Sequence, residues 1–320
     1  MATRNRVIYQ SQAVALSGNS VGGGPALIPI NGVQSITYGI DVAREDVNQF
    51  GKIAAMDRII TEAPTASQEV QFHFPNNSIT PSMLNLLIQD SFGTQEDGLV
   101  VSLDVEGTDY TAPLDGAGSS SVGLASGRLS SFSLEASVGG IPTITLGFEG
   151  VGLNYGSVAV AAPGDYSTQL KTFTDVVVGL ASAGGSNTHM TNAQSATISF
   201  DLGSEGLQRL GRTGELVYAR VPTLPASATL ELEGLAVDAG MSLQLAGIST
   251  KSSTANVGVD AGGRADVTVT IGTAIFTLKK ATLDAVSYSN SIGDNATCSA
   301  TFSCSVGSTD VAFGLQISGS

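Results

Sequence analysis

VQSITYGIDVAREDVNQFGKIAAMDRIITEAPTASQEVQF, residues 33–72, returns 160 residues later as AQSATISFDLGSEGLQRLGRTGELVYARVPTLPASATLEL, residues 193–232. Eight of the forty pairs are identical: Gln34/Gln194, Ser35/Ser195, Thr37/Thr197, Asp41/Asp201, Glu45/Glu205, Gly51/Gly211, Ala66/Ala226 and Ser67/Ser227. Unrelated segments of this composition would share about two or three, so the 320-residue chain reads as two copies of one unit. Residues 1–155 and 156–320 are the expected divisions.

Each copy starts with an alternating stretch. Ile36, Tyr38, Ile40 and Val42 fall on one side of the first, and Ser35, Thr37, Gly39 and Asp41 on the other. That period of two marks a strand with one covered face. Residues 44–57 break the pattern with charges and Gly51, and read as a short helix or a long loop. Val70, Phe72 and Phe74 then alternate with Glu69, Gln71 and His73. Thr80-Pro81 opens a helix, with Thr80 as its cap and Met83, Leu84, Leu87 and Ile88 as its apolar stripe. Phe132–Val138 and Ile144–Phe148 face each other across Gly139-Gly140, a hairpin turn. The second copy repeats this order, with residues 237–247 in the helix position, a strand over 266–276, and a last hairpin from Val286 to Cys304. That hairpin matches 132–150 at an offset of 154. Residues 6–14 read as a strand, followed by a glycine-rich arm.

Charge narrows the partners. The chain has 28 acids against 14 bases, a net charge of −14, which opposes gripping nucleic acid by its phosphates. No apolar run approaches the roughly eighteen residues of a spanning helix, and residues 1–14 lack the apolar core of a signal peptide. Cys298 and Cys304 share the apolar parity of one strand, and read as buried free thiols. His73 and His189 lie too far from them for a zinc site. There is no serine elbow, P-loop or dinucleotide fingerprint, and no tryptophan to line a pocket. No enzyme activity and no cofactor are expected.

The polar faces carry the sharper signal. Ser35, Thr37, Asp41, Glu69, Gln71, Glu135, Thr143, Thr145 and Glu149 collect in the first copy. Ser195, Thr197, Asp201, Thr229, Glu231, Thr297 and Ser299 do so in the second. Over residues 34–42, 67–74, 131–138, 143–150, 194–202, 227–233, 286–292 and 297–304 these faces hold carboxylates but no lysine or arginine. A solvated sheet normally mixes signs. Such a face suits either the wall of an aqueous channel or the open side of a β-sandwich in a lysine-poor protein.

On residues 33–90 and 129–150, and on the opening RNRVIYQSQAV, the chain resembles the major tail tube proteins of long-tailed bacteriophages. The resemblance implies a mainly β fold: two tandem tail-tube-like β-sandwich domains, each with one short helix, whose long strands join neighbours in a closed lumen barrel. It also implies a structural virion protein of the tail, assembled in the host cytoplasm, whose stacked rings form a conduit for DNA ejection. A doubled unit then makes trimeric, pseudo-hexameric rings of about 24 lumen strands. The residues of the polar faces would line the lumen without binding DNA specifically. Arg44, Lys52, Arg58, Arg209, Arg212 and Arg220 would meet the next ring. Further implied partners are tail-tip and terminator proteins and, if the tail is contractile, a sheath, with no membrane. The alternatives are a tube protein of a phage-derived injection particle and a tandem β-sandwich binding module.

Overall fold

The computed structural model describes residues 12–18, 26–53, 56–62, 64–74, 79–90, 92, 97–103, 120–156, 160–161, 164, 176–181, 187–189, 192–207, 219–235, 264–292, 295–306 and 314–319. The chain is mainly β. Its first half runs β1 (Gln12–Gly18), β2 (Ala26–Pro29), β3 (Val33–Asp41), β4 (Arg44–Val47), β5 (Asp57–Ile60), β6 (Thr65–His73), α1 (Pro81–Asp90), β7 (Asp97–Leu103), β8 (Ser120–Ala125), β9 (Arg128–Ser137), β10 (Thr143–Gly150) and β11 (Gly152–Gly156). The second half runs β12 (Val176–Ala181), β13 (Asn187–His189), β14 (Ala193–Asp201), β15 (Ser204–Leu207), β16 (Ala219–Pro222), β17 (Ala226–Leu235), β18 (Arg264–Ile271), β19 (Ala274–Ser289), β20 (Thr297–Val306) and β21 (Gly314–Ser318).

All of the long alternating strands join one sheet. Its order is β3-β6-β10-β9-β14-β17-β20-β19, every neighbour antiparallel, with the halves meeting where β9 pairs with β14. Behind it, the first half lays an outer sheet in the order β11-β8-β7-β1-β2. The second half lays its outer strands in the order β21-β19-β18-β12-β13, with the long β19 serving both layers. Lys280, with φ +50°, marks the corner of β19, and Ser126, with φ +48°, marks the corner between β8 and β9. Gly32 and Asn192 hold φ of +69° and +70° just before β3 and β14. Glycine meets no steric cost there, and asparagine is among the few side chains that tolerate it.

The bulges recur as well. Gln34 is skipped in the pairing of β3 with β6, as Gln194 is in β14 with β17. Ser130 is skipped between β9 and β10, as Asp284 is between β19 and β20. Register corrects one detail of the sequence alignment. Ser35 faces Gln71 and Ser195 faces Glu233, so β17 answers to β6 two residues beyond the gap-free match. Ala66 therefore answers to Ala228 and Glu69 to Glu231. Two residues preserve parity, so no side chain changes face.

The core is one cluster that runs through both halves. Phe276 of β19 lies edge-on to Phe74, with ring centroids 5.6 Å apart, and stacks on Phe132 at 6.3 Å. Such ring pairs add about 0.5–1.5 kcal/mol beyond the area they bury. Gln68, buried on β6, accepts a hydrogen bond from the Leu99 amide of β7 at 3.0 Å and so ties the two layers. The helix is capped as its sequence implies, the Met83 amide donating to Thr80 Oγ1 at 3.3 Å, and Leu84, Leu87 and Ile88 are buried. It reaches across to the second half, where Asn85 Oδ1 accepts from the Ile317 amide of β21 at 3.1 Å.

Two expectations change. The span 44–57, read as a short helix or a long loop, holds β4, and Arg44–Val47 pairs with Asp57–Ile60 as a β-hairpin instead of a helix; β15 and β16 form another. The strand expected over 266–276 is broken at Gly272-Thr273, where the chain turns from β18 into β19. The strand read at 6–14 is described only from Gln12, in β1, and residues 237–247 lie outside the described residues.

Candidate functional site

Backbone pairing lines the polar residues of the long sheet into rows. From edge to edge, Ser35, Gln71, Thr145, Ser133, Ser199, Thr229, Ser303 and Thr282 stand opposite one another. On one side of this neutral row runs Thr37, Glu69, Gly147, Ser131, Asp201, Ser227 and Ser305. On the other runs His73, Thr143, Glu135, Thr197, Glu231 and Thr301, with Glu233 and Ser299 in the row beyond. A hydroxyl band is thus bordered by carboxylates, and these rows contain no lysine or arginine. Cross-strand hydroxyl bonds join neighbours within rows: Ser199 to Thr229 at 2.6 Å in the band, and Ser287 to Ser299 at 2.7 Å in the row beyond Glu231. Asp41, Glu69, Glu135, Asp201, Glu231 and Glu233 are exposed. Burial holds the His73 imidazole below its ordinary pKa, so it adds no positive charge at neutral pH.

One cation escaped the sequence reading. β9 begins at Arg128, and the Ser130 bulge returns Arg128 to polar parity, directly opposite Glu149. Glu149 also accepts a hydrogen bond from Ser204 Oγ at 2.9 Å, across the junction between the halves. The only advance signal was an arginine at the foot of a strand, and a bulge cannot be counted from periodicity.

Of the six cations expected to meet a neighbour, Arg44 and Lys52 are exposed on the β4–β5 hairpin. Arg58 is exposed too, but pairs across its own hairpin with Asp46. Arg220 lies on β16 opposite Gly206, and Arg209 and Arg212 lie outside the described residues. The hairpin also carries an apolar tip that charge reading overlooked. Phe50, Ile53 and Met56 are exposed, with Val47, Ile59 and Ile60 along its arms.

Among the described residues, the long sheet ends in two open edges. On β3, Tyr38 is 37% and Ile40 49% exposed, whereas Ile198 and Phe200, at the same places on β14, are buried at 0% and 1%. On β19, Tyr288 is 52% exposed where Leu134 of β9 is at 0%. Both sulfurs stay on the covered face, Cys298 and Cys304 being buried free thiols.

No family model matches the chain, and no curated protein matches it. Among solved structures, similar chains occur in a virion of a native gene transfer agent particle (15% identity, 45% of this chain and 96% of that one, TM-score 0.33). Another occurs in the tail of an empty gene transfer agent particle with C6 symmetry (16%, 46% and 96%, TM-score 0.33). A third occurs in the baseplate of an anti-feeding prophage (14%, 49% and 99%, TM-score 0.33).

Proposed function

We propose that this chain is a structural tube protein of a phage tail, built by internal duplication, whose copies close side by side into rings with the polar sheet face turned to the lumen. The observation that carries this reading is the β9–β14 junction. Two four-strand segments with the same order and the same bulges are already joined there, and among the described residues the composite sheet still has one free edge of each kind. A sheet that leaves long apolar-flanked edges open invites aggregation, and ring closure removes them. Three chains complete a six-unit ring.

The wall would act passively. Duplex DNA meets hydroxyls and carboxylates, with no row of cations to hold its phosphates. Repulsion acts over a Debye length of ~8 Å at physiological salt. Neither a pocket nor a nucleophile is required, so the role is non-enzymatic. Ring partners are further copies of the chain, with tip and terminator proteins at the ends and, in a contractile tail only, a sheath outside.

Negative-stain imaging of purified protein tests the assembly: rings or tubes of constant diameter support it, and dispersed monomers at high concentration overturn it. Asp41→Lys, Asp201→Lys and Glu231→Lys test the wall. Tubes that assemble with all three lysines and still release DNA at the normal rate overturn the lumen assignment.

A further inference from the structure

The internal β9–β14 junction is a template for the contact between chains. We infer that β3 of one chain pairs antiparallel with the C-terminal part of β19 of a second copy, Thr37 opposite Ser289 and Asp41 opposite Ala285, and that this register brings Arg44 beside Asp284. The inference rests on the ring reading above and adds its register and its contacts.

The register follows from equivalences already fixed by bulges and corners. Within the chain Thr197 faces Glu135, Ile198 faces Leu134, Phe200 faces Phe132 and Asp201 faces Ser131. β14 answers to β3 through the Gln194 and Gln34 bulges, and β9 answers to β19 through the Ser130 and Asp284 bulges. Carrying the junction over places Thr37 at Ser289, Tyr38 at Tyr288, Ile40 at Val286 and Asp41 at Ala285. The two exposed tyrosines then meet where the internal junction buries Ile198 against Leu134.

Two backbone bonds frame the internal junction: the Leu202 amide donates to Ser130 O at 2.7 Å, and the Val138 amide to Gln194 O at 2.9 Å. Their counterparts are Val42 N to Asp284 O, and Ile292 N to Gln34 O. At the first of these ends, Ser204 sits near Ser130, Arg128 and Glu149 around one small cavity. Substituting equivalents puts Arg44 in the place of Ser204, and Asp284 in that of Ser130. Both side chains are exposed in the isolated chain, so a cation and an anion await each other.

Helix α1 covers β21, and Ile317 there is only 4% exposed. The matching residue of β11 is Tyr155, by its pairing with Val122 as Ile317 pairs with Phe276, and it is 76% exposed. The bare outer strand therefore lies in the half that also offers the bare β3.

Engineered cysteines read the register directly. The native thiols lie buried on the opposite face and stay out of the reaction. Under mild oxidation Thr37→Cys/Ser289→Cys is expected to give a ladder of covalent multimers on non-reducing gels. Thr37→Cys/Ser287→Cys, two residues out of register, is expected to give none, because disulfides need Cα atoms within about 7 Å. Arg44→Glu and Asp284→Arg are each expected to weaken assembly at low salt, and the double exchange to restore it. Assemblies of normal appearance that cross-link through Ser287→Cys, or through neither pair, overturn the register while leaving the ring reading in place. Protein that stays monomeric at every concentration, without cross-links, overturns both.

Discussion

Ile198 of β14 lies directly opposite Leu134 of β9, and both are at 0% exposure, although the two residues belong to different halves of the chain. Their counterparts at the outer edges, Tyr38 and Tyr288, are 37% and 52% exposed. Burying a large apolar side chain contributes about 1.5–3 kcal/mol. Ile198→Ala is therefore expected to destabilise the folded chain by about 2–5 kcal/mol. Tyr38→Ala is expected to leave monomer stability within about 0.5 kcal/mol while reducing assembly. Denaturant melts of the monomer, set beside sedimentation of the assembled protein, separate the two effects. Equal destabilisation by both changes contradicts the exposure difference.

Glycines at two places on the long sheet are expected to behave in opposite ways. A Cβ at Gly150 would meet the Ala125 carbonyl oxygen at 2.5 Å and Leu124 Cγ at 2.7 Å, where β10 leaves for the outer layer. One of those contacts is backbone and cannot rotate aside. Gly150→Ala is expected to cost at least about 1–3 kcal/mol, the usual range for overpacking. Gly39 has nothing within 4 Å of its Cβ position and sits mid-strand on β3. Gly39→Ala is expected to be neutral or to stabilise by up to about 1 kcal/mol, since alanine has less chain freedom to lose. Urea midpoints decide both.

Cys304 supplies the pH dependence. Burial pushes its thiol from 9.0 up to about 11, with a hydrogen bond to the Ala228 backbone opposing, and burial raises Cys298 as well. A raised pKa means that the unfolded chain ionises first as pH increases. The contribution is complete below about pH 9 and is lost as pH rises towards 11, amounting to at most about 3 kcal/mol. Melting temperature should fall over that window, and Cys304→Ala should flatten the part of the slope due to this thiol. At pH 7–8 the native protein is expected to react slowly with thiol reagents and to react fully once unfolded. Rapid native labelling contradicts the burial.

Much of the fold was legible because period-two alternation is a local signal. Strands β3, β6, β9, β10, β14, β17 and β20, the Thr80-Pro81 helix start and the Gly139-Gly140 turn follow from chemistry within a few residues, whereas the sixteen-residue β19 does not show as one strand. The covered position of Cys298 and Cys304 follows from parity alone. Other features depend on what parity cannot count. The bulge at Ser130 restores Arg128 to the polar face, and the two-residue step between β6 and β17 was hidden by Ala66-Ser67 recurring as Ala226-Ser227. Pairing of β9 with β14 joins residues some sixty positions apart, and no local pattern encodes which strands become neighbours. The β4–β5 hairpin was obscured because its tip is charged, glycine-containing and apolar at once, so it fits neither a helix nor an alternating strand.

That hairpin carries the last prediction. Its strands pair through Arg44–Val47 and Asp57–Ile60, an ion pair ties Arg58 to Asp46, and Phe50 and Ile53 project fully exposed from the tip. The apolar end adds nothing to the stability of its own chain, since both side chains are fully exposed. On the ring reading, the tip enters an adjoining ring, where two such side chains bury enough surface to contribute about 3–6 kcal/mol per chain. Phe50→Ser/Ile53→Ser is therefore expected to leave the melting temperature unchanged and rings intact, while tubes shorten or fail to form. The ion pair, exposed and internal to the hairpin, should matter little: Arg58→Ala is expected to change stability by less than about 1 kcal/mol. Tube-length distributions from electron micrographs measure the effect. Full-length tubes from the double serine variant place ring stacking elsewhere on the molecule, and loss of rings as well as tubes assigns the tip to the contact within a ring.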